Sequence, residues 1–246
     1  MRASSPYPAA MRSGRRRSTR AFAAAVVVVA VACVATAAAA ASQAADIAVA
    51  RAGVFVVADF PGFASKPSSS ITHADQVAMA KGLDGCSSYV TMQKRLQAVP
   101  LAASLQFADA DGSVGNEVAV FPNERAASAL LVLAAKSSMV GCLENYLEKQ
   151  FRQQLPGGVD DVAANLERQA ISGLGDDSVV YEGSLELTGT DGKQSQIAMG
   201  SLLVRVGRAT ESVLYFTQGS QPTDLLAPAI DASVARLRSA QVKGTS

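Results

Sequence analysis

Two Asp-Gly dipeptides, Asp111-Gly112 and Asp191-Gly192, each lie between arms rich in β-branched and aromatic residues. Such a pair supplies the positive φ that tight hairpin turns require, so each predicts that its flanking arms pair antiparallel. The first is "SLQFADADGSVGNEVAVF", residues 104–121. The second lies inside "SVVYEGSLELTGTDGKQSQIAMGSLLVRVGRATESVLYFTQ", which predicts three strands, two joined around Asp191-Gly192 and two through Gly207 to Thr210. Each strand group gives way to a helical pattern. After the first comes "ERAASALLVLAAK", with Asn123 as the N-cap. After the second comes "QPTDLLAPAIDASVARLRSAQ", with Leu226, Ile230, Val234 and Leu237 on one face. The order predicts an α+β fold, a single domain in which helices pack on an antiparallel sheet. Hairpin, polar stop and helix occur twice, which reads as an internal two-fold duplication carried by order and not by residue identity.

Other segments refine this plan. "GVFVVADF", residues 53–60, is β-branched and aromatic and is stopped by "PGF", which predicts a first strand and a turn. Thr72 and Asp75, three apart before an apolar run, form a capping-box pattern for a helix from His73 to Lys81, with Gly82 as its stop. "CSSYVTMQKRLQAV" has no clear period and ends at Pro100. A further helix from Cys142 to Gln154 places Leu143, Tyr146, Leu147 and Phe151 on one face, and "PGG" at 156–158 ends it.

Residues 1–45 read differently. Six arginines and no acid precede "AFAAAVVVVAVACVATAAAAA", a basic region followed by an apolar one and then small residues, which is the pattern of an export signal. Met11 offers an alternative start. Three fates stay open for this leader. Signal peptidase cleavage near 41–45 is the first, lipidation of Cys33 within the lipobox-like "AVAC" the second, and an uncleaved anchor the third. All three place residues 46–246 outside the cytoplasm, attached to the membrane only through the leader or a lipid.

Without the leader's six arginines, 16 basic residues face 21 acidic ones, a formal charge of about −5. The basic residues are scattered and form no stripe that could neutralise a phosphate backbone, which excludes nucleic acid as an expected partner. Catalytic groups are sparse. The single histidine, His73, sits in the first turn of a helix, where an exposed and unpartnered side chain is expected. No G-x-S-x-G or S-x-x-K motif is present to supply an activated serine. One histidine and two widely separated cysteines lack zinc-ligand spacing, and "ADADGSVGNE" places its glycine wrongly for a calcium loop. Asp176 and Asp177 are expected in a solvated loop, and no metal or cofactor is expected. Cys86 and Cys142 remain. In an exported domain such a pair is most simply a disulfide, the alternative being a reactive thiol in an electropositive pocket.

The motifs "VADFPGF", "GCSSYV", "CLENYL", "GLGDDSVVY" and "LLVRVGRA", in this order behind a basic leader, resemble the actinobacterial extracytoplasmic sensor-like domains of the PknH type. The resemblance covers about residues 50–240. It implies a mixed fold with an antiparallel sheet, flanking helices and a cleft for a small ligand. It departs from the pattern in one respect, since the PknH-type domain has two disulfides and this chain can form one. No binding residue carries over, and signalling by phosphorylation is not expected because no kinase sequence precedes the domain.

The functional expectation is an exported, non-enzymatic binding or sensor-like module that presents a cleft to a small apolar or amphipathic ligand. An envelope protein-protein interaction module without a small ligand is the alternative, and an unrecognised hydrolase a third. The oligomeric state is left open.

Overall fold

The structure is a computed structural model that describes residues 41–67, 71–155, 157, 159–171, 173–218 and 223–244. Residues 1–40 of the expected leader, with the start at Met11 and the lipidation candidate Cys33, lie outside the described residues, and residues 41–45, where cleavage is expected, are helical. The folded unit is Ala44–Ser246. Residues 44–53 are helical (α1) and lead into a single 3-10 turn, Val57–Asp59. Then follow β1 (Ala64–Lys66), α2 (His73–Ala80), α3 (Ser87–Gln97), β2 (Leu101–Ala103), β3 (Gln106–Ala108) and β4 (Gly112–Val120). The remainder is α4 (Glu124–Ala134), α5 (Ser138–Gln154), β5 (Val159–Gln169), β6 (Asp177–Gly189), β7 (Gln194–Val206), β8 (Ala209–Thr217) and α6 (Thr223–Gly244).

The strands make one 8-stranded antiparallel sheet in the order β1-β3-β4-β8-β7-β6-β5, with β2 also pairing β4. The α+β reading is thus borne out. Alternation along the central strands loads both faces, as a strand's period of two dictates. On β4, Val114, Val118 and Val120 join one core with Phe55, Val234 and Leu237. Ala119 of the same strand joins the other, with Leu130, Leu147 and Tyr181. Helices α1 and α6 therefore cover one face and α2 to α5 the other. Hairpin and helix do recur in both halves, with the helix after each, α4 and α6, on opposite faces of the sheet.

Residues 53–60 are not the expected strand. Their backbone groups are taken by side chains and by the 3-10 turn itself, where the Asp59 amide donates to the Val56 carbonyl at 2.9 Å, and not by a neighbouring strand. Asn116 donates to the Gly53 carbonyl at 3.0 Å and accepts from the Phe55 amide at 2.8 Å. Arg236 of α6 donates to the carbonyls of Ala52 and Val54 and holds Asp59 with two hydrogen bonds of 3.0 and 2.8 Å. Phe55 and Phe60 are buried, and Phe60 stacks on Phe107 with centroids 5.1 Å apart. By length and composition Ala41–Asp59 could cross a bilayer, but here Val49, Ala50 and Phe55 belong to the core.

Strand β5, in a segment to which no element was assigned from sequence, is the other departure. "VDDVAANLERQ" is poor in β-formers, and only Val162 and Leu166 are buried along it, four apart as on a helix. It is an edge strand, and the adjoining helix satisfies part of its free edge. Glu144 and Glu148 of α5 accept from the amides of Leu166 and Ala164 at 2.9 and 3.1 Å. Close approach to β6 depends on Gly183, where an added methyl would sit 1.9 Å from the Asn165 carbonyl oxygen. Gly183→Ala is expected to destabilise the domain by about 1–3 kcal/mol by forcing β5 away, read as a lowered urea midpoint. An unchanged midpoint would show that β5 is not held this closely.

Candidate functional site

Local sequence sets up the walls of a cleft on the α2–α5 face. The Thr72–Asp75 capping box closes as expected, with Thr72 Oγ1 accepting from the Asp75 amide at 3.2 Å, and starts α2 at His73. "SSYVTMQKRLQ", directly after Cys86, folds as α3, which the sequence left undefined. Asn123 caps α4, accepting from the Ala126 amide at 2.9 Å. Helix α5 begins one turn earlier than expected, and its residues Leu143, Tyr146, Leu147 and Phe151 all point to the cleft. The Cys86–Cys142 disulfide joins the start of α3 to the first turns of α5, with Cα atoms 4.9 Å apart, so the two walls are covalently tied. Tyr89 of α3 and Tyr146 of α5 meet deeper in, their ring centroids 5.1 Å apart.

The floor is made by the central strands. Glu117 pairs with Ser212, Gly115 with Leu214 and Ser201 with Leu214 across β4, β8 and β7. Several of these floor positions are glycine or serine, so there is little side-chain bulk to meet the helices and a void remains. Its volume is about 430 Å³, within the roughly 300–1,000 Å³ range of small-molecule sites. Leu214 lies on a strand with neighbours on both sides, yet it is 42% exposed. A leucine in the middle of a sheet is ordinarily covered; here the helical layer leaves it open.

His73 is not the exposed, unpartnered residue that its position suggested. Its side chain is only 12% exposed and lies at the cleft's polar end. Nδ1 is 2.5 Å from Gln93 Oε1 and Nε2 is 2.9 Å from Glu117 Oε1. The carboxylate is off the Nε2–H direction, so that contact is an ion pair more than a linear hydrogen bond. Burial disfavours the imidazolium, but contact with Glu117 and its charge, and then Gln93, outweigh it, so the His73 pKa is raised. Burial, then the neighbouring Tyr146, hold the Tyr89 phenol well above its ordinary pKa, and its hydroxyl donates to Gln76 Oε1 at 3.1 Å. Sequence alone could not bring His73, Gln93 and Glu117 together.

The other sequence candidates fall outside the cleft. Asp109 accepts from the amides of Asp111 and Gly112 at 2.9 and 2.8 Å and so shapes the β3–β4 turn. Asp176 is not simply solvated, since it accepts from the Gly207 amide at 2.6 Å and lies 3.4 Å from Arg205. Asp177 is exposed at the start of β6. Among the described residues no group of three or more His, Cys, Asp or Glu side chains is placed to hold a metal ion.

No protein-family model matches this chain, and no curated protein does. Among solved structures, the crystal structure of the extracellular domain of PknH from Mycobacterium tuberculosis matches 72% of this chain and 82% of that chain, at 10% identity and a TM-score of 0.37. No residue role is carried across from it.

Proposed function

We propose that the protein is an exported, non-enzymatic binding module whose cleft over β4, β8 and β7 holds a small amphipathic ligand in the cell envelope. One observation carries this reading: Leu214, on a central strand, is 42% exposed at the base of a cavity of about 430 Å³. An apolar floor left open to solvent costs free energy in the unliganded protein and is covered when a ligand enters. The export leader and the disulfide both fit an oxidising compartment. Binding is favoured over catalysis because, among the described residues, His73 contacts Gln93 and Glu117, and neither is a hydroxyl or thiol that it could activate as a nucleophile.

Native mass spectrometry of protein purified from its own host tests the reading. A retained small molecule is expected, and Leu214→Arg is expected to lower its occupancy at least ten-fold while the far-ultraviolet spectrum and melting profile stay native. Equal occupancy in a folded Leu214→Arg variant, or no retained molecule in the unaltered protein, would count against the cleft.

A further inference from the structure

The chemistry of the cleft lining narrows the class of ligand, an inference that rests on the binding reading above. Among the described residues no lysine or arginine lines the cleft, and the charged side chains that do are His73 and Glu117. When His73 is protonated, the form that Glu117 favours, the two offset each other at 2.9 Å. An anionic head group would therefore enter a site with no free cation to replace its hydration, and would meet Glu117. A cationic head would find that Glu117 already has its counter-charge. Either transfer leaves a charge partly desolvated and unpaired, which is strongly unfavourable.

The lining is nevertheless polar. Gln150 projects from the α5 wall, and Ser201 and Ser212 from the floor. All three are half-buried, and their side chains make no hydrogen bond with the described residues. Half-buried amide and hydroxyl groups want partners. Each offers both a donor and an acceptor, a set that matches hydroxyl groups, which also do both. Alongside them lie Leu214, Phe216 and Phe151, and the two phenylalanine rings are 5.8 Å apart. Polar and apolar groups thus lie side by side in one cavity.

We infer that the ligand is an uncharged, hydroxyl-rich amphiphile, with its hydroxylated head on Ser201, Ser212 and Gln150 and its apolar part over Leu214, Phe216 and Phe151.

The chain contains no tryptophan, so Gln154→Trp, at the exposed end of α5, gives a single fluorescent reporter at the cleft's edge. Its emission would be titrated with three amphiphiles of equal eight-carbon tail, octyl glucoside, octyl phosphate and octyltrimethylammonium, each below its micelle concentration, and with free glucose. Octyl glucoside is expected to bind at least ten-fold more tightly than either charged compound and than glucose. Adding Ser201→Val and Ser212→Val to the reporter protein is expected to remove that preference. Gln150→Leu, on a helix, provides a second variant should the strand substitutions impair folding, and is expected to weaken octyl glucoside alone. Charged amphiphiles binding as tightly as the glucoside would overturn the head-group inference and leave the cleft reading standing. Glucose binding as tightly as octyl glucoside would overturn the amphiphilic part. If none of the four compounds shifts the emission, the cleft reading fails together with the inference.

Discussion

Cys86→Ser and Cys142→Ser are each expected to lower the stability of the oxidised domain by about 4 kcal/mol, the chain-entropy value for a bridge of this span. The span is 56 residues, and both cysteines lie in the core at 2% exposure or less. The reference state explains most of the effect. In the unfolded chain the bridge forbids every conformation in which α3 and α5 drift apart, and without it that freedom must be lost on folding. Function is expected to follow stability here, because the bridge joins the two walls of the cleft. Either variant should therefore bind an amphiphile less tightly even below its melting temperature. Urea unfolding of the oxidised protein and of both variants measures the first effect. Loss of less than about 1 kcal/mol, or a titratable thiol at Cys86 in folded, oxidised protein, would refute the assignment of the bridge as a structural tie.

Stability is also expected to fall by about 3 kcal/mol between pH 5 and pH 8, through Glu211. This carboxyl group is fully buried on the opposite face of the sheet, between β8 and α6. Asn116 donates to Oε1 and Ser233 to Oε2, each at 2.6 Å. Burial is the dominant influence and raises its pKa; the bonds from Ser233 and Asn116 and the charge of Arg236 pull it down, Asp59 pushes it up, and the result is about 7. The sign follows from proton binding. The native state holds the proton where the unfolded chain, titrating near 4.5, has released it, so stability is greatest below that value. It declines as pH rises toward 7 and then levels off. His73 adds a contribution of the same sign, present below its ordinary value and lost as pH rises through its raised one.

Glu211→Gln separates the two contributions. The amide oxygen can accept from Asn116, while Ser233 Oγ can turn to donate to the Ile230 carbonyl, 2.9 Å away, and accept from the new amide. The variant is expected to be more stable than the parent at pH 8 and to keep only the shallower slope due to His73. Denaturant unfolding at the two pH values reads both. A parent protein that gains stability from pH 5 to pH 8, or a variant that keeps the full slope, would show that Glu211 is not held in this way.

Helix α6 illustrates what was legible before any coordinates. Leu226, Ile230, Val234 and Leu237 recur at helical spacing in the sequence, and all four are buried against the sheet. The Asp191-Gly192 turn, where Gly192 has φ 74°, the Thr72 and Asn123 caps and the apolar face of α5 were readable for the same reason. Each is a local instruction, complete within a few residues, and tertiary packing did not contradict it. At the first hairpin, by contrast, Gly112 opens β4 without a positive φ and Asp109 shapes the turn. Residues 53–60 and β5 show where local reading ends. The first segment has strand-like residues but gives its backbone groups to Asn116 and Arg236, partners 61 and 182 positions away. The second lacks strand-like residues and is held by β6 and by two glutamates of α5.

The cleft belongs almost wholly to the second category. Sequence by itself determined that the chain pairs its strands antiparallel, packs helices on them and holds two cysteines suited to a bridge. Only the tertiary structure brought His73, Gln93 and Glu117 to one end of a cavity and left Leu214 uncovered in the middle of a sheet. The physical reason is one of range. Turns, caps and amphipathic faces are set by neighbours within a turn or a strand. A void between a sheet and its helices depends on side-chain volumes contributed by strands and helices far apart in the chain, and no short stretch of sequence contains that sum.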